Sequence, residues 1–306
     1  MRSASFITNS RRQRAKSKRQ NGFVITTRFC LVLPFYFLLF TFATPSQRVA
    51  LLTPDGAEQS KKIAARIGEH LENKIDLLDS DLSLAAYQSV SPTTPFNLTT
   101  TESKLIGTAI GCDFFILIKS AIQRRSAFRR DEYYEAYAHV YVVSSRTGRL
   151  VFWKNQKFEA SKPDAAAKQL YDSTENLATE LAAVIKLAQK TSLNEQPAQP
   201  IEEVPDADSP LAKDLKAPIP YHRIKPEYTT EAALYGITAT VEILVDTDAN
   251  GAITRTEIVR WAGYGLEESV EKAVRAMSWR PAFRGVKPLA MRFLLRYNFK
   301  KIDKED

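Results

Sequence analysis

The chain has 306 residues, with 43 basic against 35 acidic side chains and 44% hydrophobic residues. That length holds more than one globular core. Two cysteines exclude a disulfide framework or a cysteine metal site, and three scattered histidines give no catalytic constellation.

The first 28 residues hold eight basic side chains (Arg2, Arg11, Arg12, Arg14, Lys16, Lys18, Arg19 and Arg28) and no acid. The remainder then carries 35 charges of each sign, so the basic balance does not describe a nucleic-acid surface on the folded part. Phe29–Thr44 follows as an uncharged apolar run. A basic flank before an apolar run is the positive-inside pattern and predicts a single-pass inner-membrane signal-anchor, N-terminus cytoplasmic and bulk periplasmic. The run is short against the roughly 20 residues a span needs. Gly22–Thr27 extends it if Arg28 snorkels. A cleaved signal peptide, with small Thr41 and Ala43 before the cut, is the alternative. Cys30 is not preceded by a lipobox-like leucine, which argues against a lipoprotein.

Residues 48–190 predict an α/β domain. Val49–Leu52 and Ile75–Leu78 read as strands around a helix with Ile63, Ile67 and Leu71 inward. Ser91–Pro95 is a break, and Thr99–Glu102 is a capping box for a helix to about Gly111. Phe114–Ile118 is a buried strand. Tyr137, His139, Tyr141 and Val143 alternate, Ser145–Gly148 turns, and Leu150–Phe158 returns. Ser161–Asp164 then caps one long helix with Leu170, Leu177, Leu181, Val184 and Ala188 inward. This order, with Ile110–Leu117 leading the central strand, resembles the N-terminal domains of periplasmic TolB-like and CsgG/LpoB-like envelope proteins. Residues 191–217 carry Pro197, Pro200, Pro205 and Pro210 and read as an acidic linker. At ~3.1 Å per extended residue, about 25 residues reach on the order of 80 Å.

Residues 218–306 form a second, smaller domain. A short helix precedes Gly236. Ile237–Val245 alternates, and Asp246–Gly251 is a hairpin turn carrying Asn250-Gly251. Ile253–Trp261 returns. Gly263 and Gly265 break the strand, and Leu266, Val270, Val274 and Met277 recur at helical spacing. Pro281, Gly285 and Pro288 make an irregular connection. Met291, Phe293, Leu295, Tyr297 and Phe299 then alternate with Arg292, Leu294, Arg296 and Asn298. The whole chain is read as α+β, with a three-stranded antiparallel sheet and two helices in this last domain.

The last 85 residues or so resemble the C-terminal domain of TonB-family energy transducers. The resemblance is carried by Pro226, Tyr228, Ala232, Gly236, Val241, Gly251, Gly265, Leu266 and the run Trp279-Arg-Pro281-Ala282-Phe-Arg-Gly285-Val-Lys-Pro288. Thr229 stands where a proline normally follows the tyrosine, and Ala239 where a glycine often sits. The resemblance implies a domain that takes a partner's extended segment along its last strand, Met291 to Asn298. It implies outer-membrane TonB-dependent transporters as partners and a proton-driven inner-membrane motor at the anchor. That anchor usually carries a histidine with a serine one turn before it, and Phe29–Thr44 has neither. A non-energised periplasmic adaptor with the same docking domain is the alternative. Arg292 and Arg296 would favour an acidic partner, or act as gatekeepers against aggregation.

Asp246–Glu257 has the spacing of an EF-hand loop, but strands flank it where helices are needed, so no metal is expected. No cofactor, enzyme activity or nucleic-acid partner is expected. Asn97-Leu-Thr99 is a glycosylation sequon, Tyr133, Tyr134, Tyr137 and Tyr141 read as sheet packing or a patch, and His70, His139 and His222 read as packed or solvated.

Overall fold

The computed structural model describes residues 47–127, 130–193, 200–206 and 208–301. The basic segment, the apolar run 29–44 and Cys30 lie outside the described residues. No helix among the described residues is long and apolar enough to cross a membrane.

The first sheet is built on β1 (Arg48–Leu52), whose two faces are both apolar. Helix α1 (Glu58–Leu71) buries Ile63, Ile67 and Leu71, and β2 (Asp76–Leu77) pairs parallel to β1. Helix α2 (Ser80–Val90) was not expected. Asp79 caps it by accepting the Leu82 N–H at 2.9 Å, but it buries only Ser83 and Tyr87, too weak a stripe to read in the sequence. Helix α3 (Thr100–Ile110) opens on the expected capping box, with Thr99 and Glu102 each accepting from the other's backbone N–H.

Strands β3 (Phe114–Ala127), β4 (Arg130–Ser144) and β5 (Leu150–Ala160) form an antiparallel meander. They run well past the apolar stretches that mark them in the sequence. The order is β2-β1-β3-β4-β5. The expected single C-terminal helix of this domain breaks at Ser173 into α4 (Pro163–Asp172) and α5 (Thr174–Leu193). Pro163 starts α4 without a side-chain cap. Ile185, rather than Val184, is the buried position of the last inward turn.

One face of this sheet, with Val49, Ile116, Ala138, Val140 and Val142, packs on α1, α4 and α5 through Ile67, Leu170, Leu181 and Ile185. The opposite face carries Leu52, Phe115, Leu117, Tyr141 and Val143. It must also be covered, and α2 and α3 cover only part.

The C-terminal domain covers the rest. Two short strands, β6 (Leu215–Lys216) and β7 (Ile219–Pro220), lead into α6 (Thr230–Leu234). Strands β8 (Ala239–Thr247) and β9 (Ile253–Arg260) form the predicted hairpin, and α7 (Leu266–Arg275) buries Leu266, Val270, Ala273 and Val274. The connection after α7 is more regular than expected. β10 (Trp279–Arg280) pairs with β7, and β11 (Ala282–Arg284) and β12 (Lys287–Leu289) make a hairpin around Gly285 and Val286. Strand β13 (Met291–Phe299) completes a sheet of order β13-β8-β9.

Leu52, Phe115 and Tyr141 of the first domain share one buried cluster with Val241, Trp261, Tyr264 and Leu266 of the second. The described residues therefore fall within one compact unit. Residues 191–217 read as a linker in the sequence, and the domains on either side of it share one buried cluster. The apolar second face of the five-stranded sheet needs a cover, and burying it outweighs extending the connection.

Candidate docking site

Strand β13 pairs with β8 over its full length, from Met291↔Thr247 to Phe299↔Ala239. It is the outermost strand of its sheet. Successive residues of a strand turn their backbone groups to opposite sides. Arg292 bonds outward, away from β8. Leu294, Arg296 and Asn298 therefore also present N–H and C=O groups to that side. Such an edge can template an added strand.

The side chains sort by face as the sequence pattern requires. Met291, Phe293 and Phe299 are buried, Leu295 and Tyr297 are half-buried, and Leu294 is 49% exposed. The arginines, read in the sequence as favouring an acidic partner or as gatekeepers, are both paired within the domain. Arg292 grips Asp246 directly across the ladder, with Nε and Nη2 at 2.6 and 2.7 Å from the two carboxylate oxygens. Those bonds hold the guanidinium pKa above its ordinary value. Arg296 meets Glu242 at 2.6 Å, and Arg260 approaches the same carboxylate at 3.4 Å. The polar face of β13 is thus neutralised by the acids opposite it on β8.

At the C-terminal end of β13, an apolar groove of about 560 Å³ lies between Tyr228, Ala233, Tyr297 and Phe299, rimmed by Lys225, Lys300 and Lys301. The other family-motif residues build the frame around it. Pro226 is buried, and the Tyr228 hydroxyl donates to the Ala232 and Ile237 carbonyls at 3.1 and 2.7 Å. Thr229, at the atypical position, caps α6 and donates to the Tyr264 carbonyl at 2.7 Å. Gly236 follows α6, Gly265 precedes α7, and Gly285 turns the β11–β12 hairpin, all with positive φ. Pro281 is half-buried and Ala282 is fully buried. Gly251 is required by close approach, since a Cβ there would stand 2.1 Å from the Trp279 carbonyl oxygen.

Three contacts clamp this domain to the first. Asn97, from the sequon, donates to the Thr240 and Trp261 carbonyls at 2.8 and 2.6 Å and accepts the Thr240 N–H at 2.9 Å. Arg149 pairs with Glu257 at 2.7 Å. The loop Gly263-Tyr264-Gly265 has three consecutive positive φ values and inserts against Trp153 and His139. A Cβ at Gly263 would lie 2.6 Å from Trp153 Cδ1. Tyr264, at φ 59°, is a non-glycine in the left-handed region, a strain of order 1–3 kcal/mol that packing must offset. Its hydroxyl lies 2.8 Å from His139 Nδ1.

His139 is 1% exposed among Tyr137, Tyr235, Tyr264 and Trp153. Burial, with Lys119 and Lys157 nearby, lowers its pKa to about 3. Glu267 accepts backbone N–H groups from Ala262 and Gly263, yet burial lifts its carboxyl to about 7. Tyr137 and Tyr141 are buried in the interdomain face, while Tyr133 and Tyr134 are half-buried.

The EF-hand-like stretch is a hairpin. Asp248 accepts the Asn250 and Ala252 N–H groups at 2.8 Å, Asp246 holds Arg292, and Glu257 holds Arg149 and Arg255. Among the described residues no group of three or more His, Cys, Asp or Glu side chains is placed to hold a metal. Cys112 is buried beside Ser145.

Residues 224–300 match the family described as Gram-negative bacterial TonB protein C-terminal. The matched residues contain α6, α7, both hairpins and the whole of β13. Among solved structures, the C-terminal domain of Pseudomonas aeruginosa TonB is 20% identical, covering 35% of this chain and 98% of its own, at a TM-score of 0.26. The hypothetical protein CT253 from Chlamydia trachomatis is 12% identical over 46% of this chain and 98% of its own, at a TM-score of 0.33. The LpoB C-terminal domain from Salmonella enterica is 13% identical over 37% of this chain and 82% of its own, at a TM-score of 0.26. No curated protein matches the chain in sequence.

Proposed function

We propose that this chain is a TonB-like envelope protein that docks outer-membrane transporters by taking an extended segment along β13. The observation that carries the reading is the outer edge itself. Leu294, Arg296 and Asn298 offer backbone groups in a long, regular strand of a domain matching the TonB C-terminal family. The groove at Tyr228, Tyr297 and Phe299 continues that edge and would seat an apolar side chain of the same segment. The lysine rim favours an acidic one.

Coupling to an inner-membrane proton motor is the finer reading that the family match brings. A non-energised adaptor is the second reading, and the shared core favours it. A domain packed into the same cluster as Leu52, Phe115 and Tyr141 works from a fixed platform rather than at the end of a long arm. Neither reading assigns an enzymatic step.

Photo-crosslinking in cells from positions 294 and 296 tests both levels. Crosslinks to an outer-membrane transporter that vanish with an uncoupler support the energised transducer. The same crosslinks unchanged by the uncoupler support the adaptor. Absence of transporter crosslinks from both positions overturns docking along β13.

A further inference from the structure

The segment between the domains touches the docking edge itself. At residues 202–204 it runs parallel to the start of β13, on the outer side. The Arg292 N–H donates to the Glu202 carbonyl at 2.7 Å, and the Val204 N–H donates to the Arg292 carbonyl at 2.9 Å. Side chains add to this rung. Glu203 lies 3.5 Å from Arg292 Nη1, Glu202 pairs with Arg284, and Val204 packs on the domain's core. Pairing stops there for a local reason. Pro205 disrupts the strand, and the Asp206 carbonyl turns to accept the Ser209 N–H at 2.9 Å. Among the described residues, Leu294, Arg296 and Asn298 continue the edge without a partner strand.

A partner strand that covers the whole edge needs the same Arg292 N–H and C=O, and each is already engaged. We propose that Glu202–Val204 is a resident placeholder, an internal copy of the acidic strand the edge accepts, and that docking displaces it. This rests on the docking reading above. The placeholder makes one rung, two backbone hydrogen bonds with ion pairs whose carboxylates are exposed to solvent, so each contact is weak. A partner reaching Leu294, Arg296 and Asn298 as well gains several more bonds, so the exchange favours it. Displacement also releases residues 200–206 from the edge, lengthening the connection between the domains at the moment of docking.

The probe is a synthetic peptide of residues 200–206 of this chain, titrated into the purified full-length protein while the amide resonances of Arg292 and Leu294 are followed. Val204→Pro removes the N–H of the rung. Glu202→Lys with Glu203→Lys reverses both side-chain pairs and serves as the independent variant. The tethered segment competes at an effective concentration on the order of millimolar. The peptide is therefore expected to shift both resonances at a concentration about tenfold lower or more in either variant than in the wild type. Equal titration in all three proteins overturns the placeholder, as does no response in either variant. Transporter crosslinks from position 294 that persist alongside such a result leave docking standing and remove the placeholder alone. Loss of those crosslinks in every form removes the docking reading itself.

Discussion

At the scale of single residues, the interdomain face places two oppositely shifted groups near Tyr264. His139 has its pKa lowered from 6.5 to about 3, so its neutral form is the folded form. Its contribution to stability is full above pH 6.5 and is lost as pH falls toward 3, a loss on the order of 5 kcal/mol at most. Glu267 is raised from 4.5 to about 7. Its contribution has the opposite sign, being full below pH 4.5 and lost as pH rises through 7. The two oppose each other between pH 4.5 and 6.5. Urea midpoints of the wild type should vary little there and fall below 4.5. Glu267→Gln should fall from pH 6.5 downward, and His139→Phe should gain stability over the same interval. A wild-type profile matched by both variants would refute the assignment.

At the scale of elements, the strands and the hairpin of the TonB-like domain were legible because their signals are local. Asn250-Gly251 marks the turn, and strict alternation from Met291 to Phe299 marks β13. Cross-strand partners were not legible. Nothing local marks Asp246 and Glu242 as the partners of Arg292 and Arg296; the register of β13 on β8 sets them opposite. Helix α2 was hidden because Ser80, Ser83 and Ser89 dilute its apolar stripe. The rung at Glu202–Val204 was hidden because it is shorter than any periodicity window and bounded by Pro200 and Pro205. The sequon was legible as a motif, but its use by Asn97 as a bridge to Thr240 and Trp261 depends on residues 143 and 164 positions away. Replacing Asn97 by alanine leaves those backbone groups unpaired and should cost about 2–3 kcal/mol in denaturant unfolding. Gly263→Ala should be worse, since its Cβ meets Trp153 at 2.6 Å in a left-handed conformation. Its expected signature is faster proteolysis in residues 191–217 as the domains separate.

At the scale of the whole molecule, two domains that read as separable in sequence share one core. Tyr137, His139 and Tyr141 alternate as any half-buried strand does. Nothing local says that their cover comes from Trp261 and Tyr264, more than a hundred residues later. A shared core predicts cooperative unfolding. Calorimetry on the intact chain should show one transition, with calorimetric and van't Hoff enthalpies in agreement. Gly263→Ala should split it into two. Two transitions in the wild type would mean that the interdomain cluster contributes little to stability.

The nine-residue ladder between β13 and β8 also fixes how this molecule answers to mechanical tension. A pull along the β13 axis loads its ladder bonds in shear, so many must yield together. A pull across the sheet peels them one after another from an end. A segment lying alongside β13 and drawn lengthwise transmits its tension in the stiff direction, through β8 and the Asp246–Arg292 and Glu242–Arg296 crosslinks. The same segment drawn sideways would come away at low force.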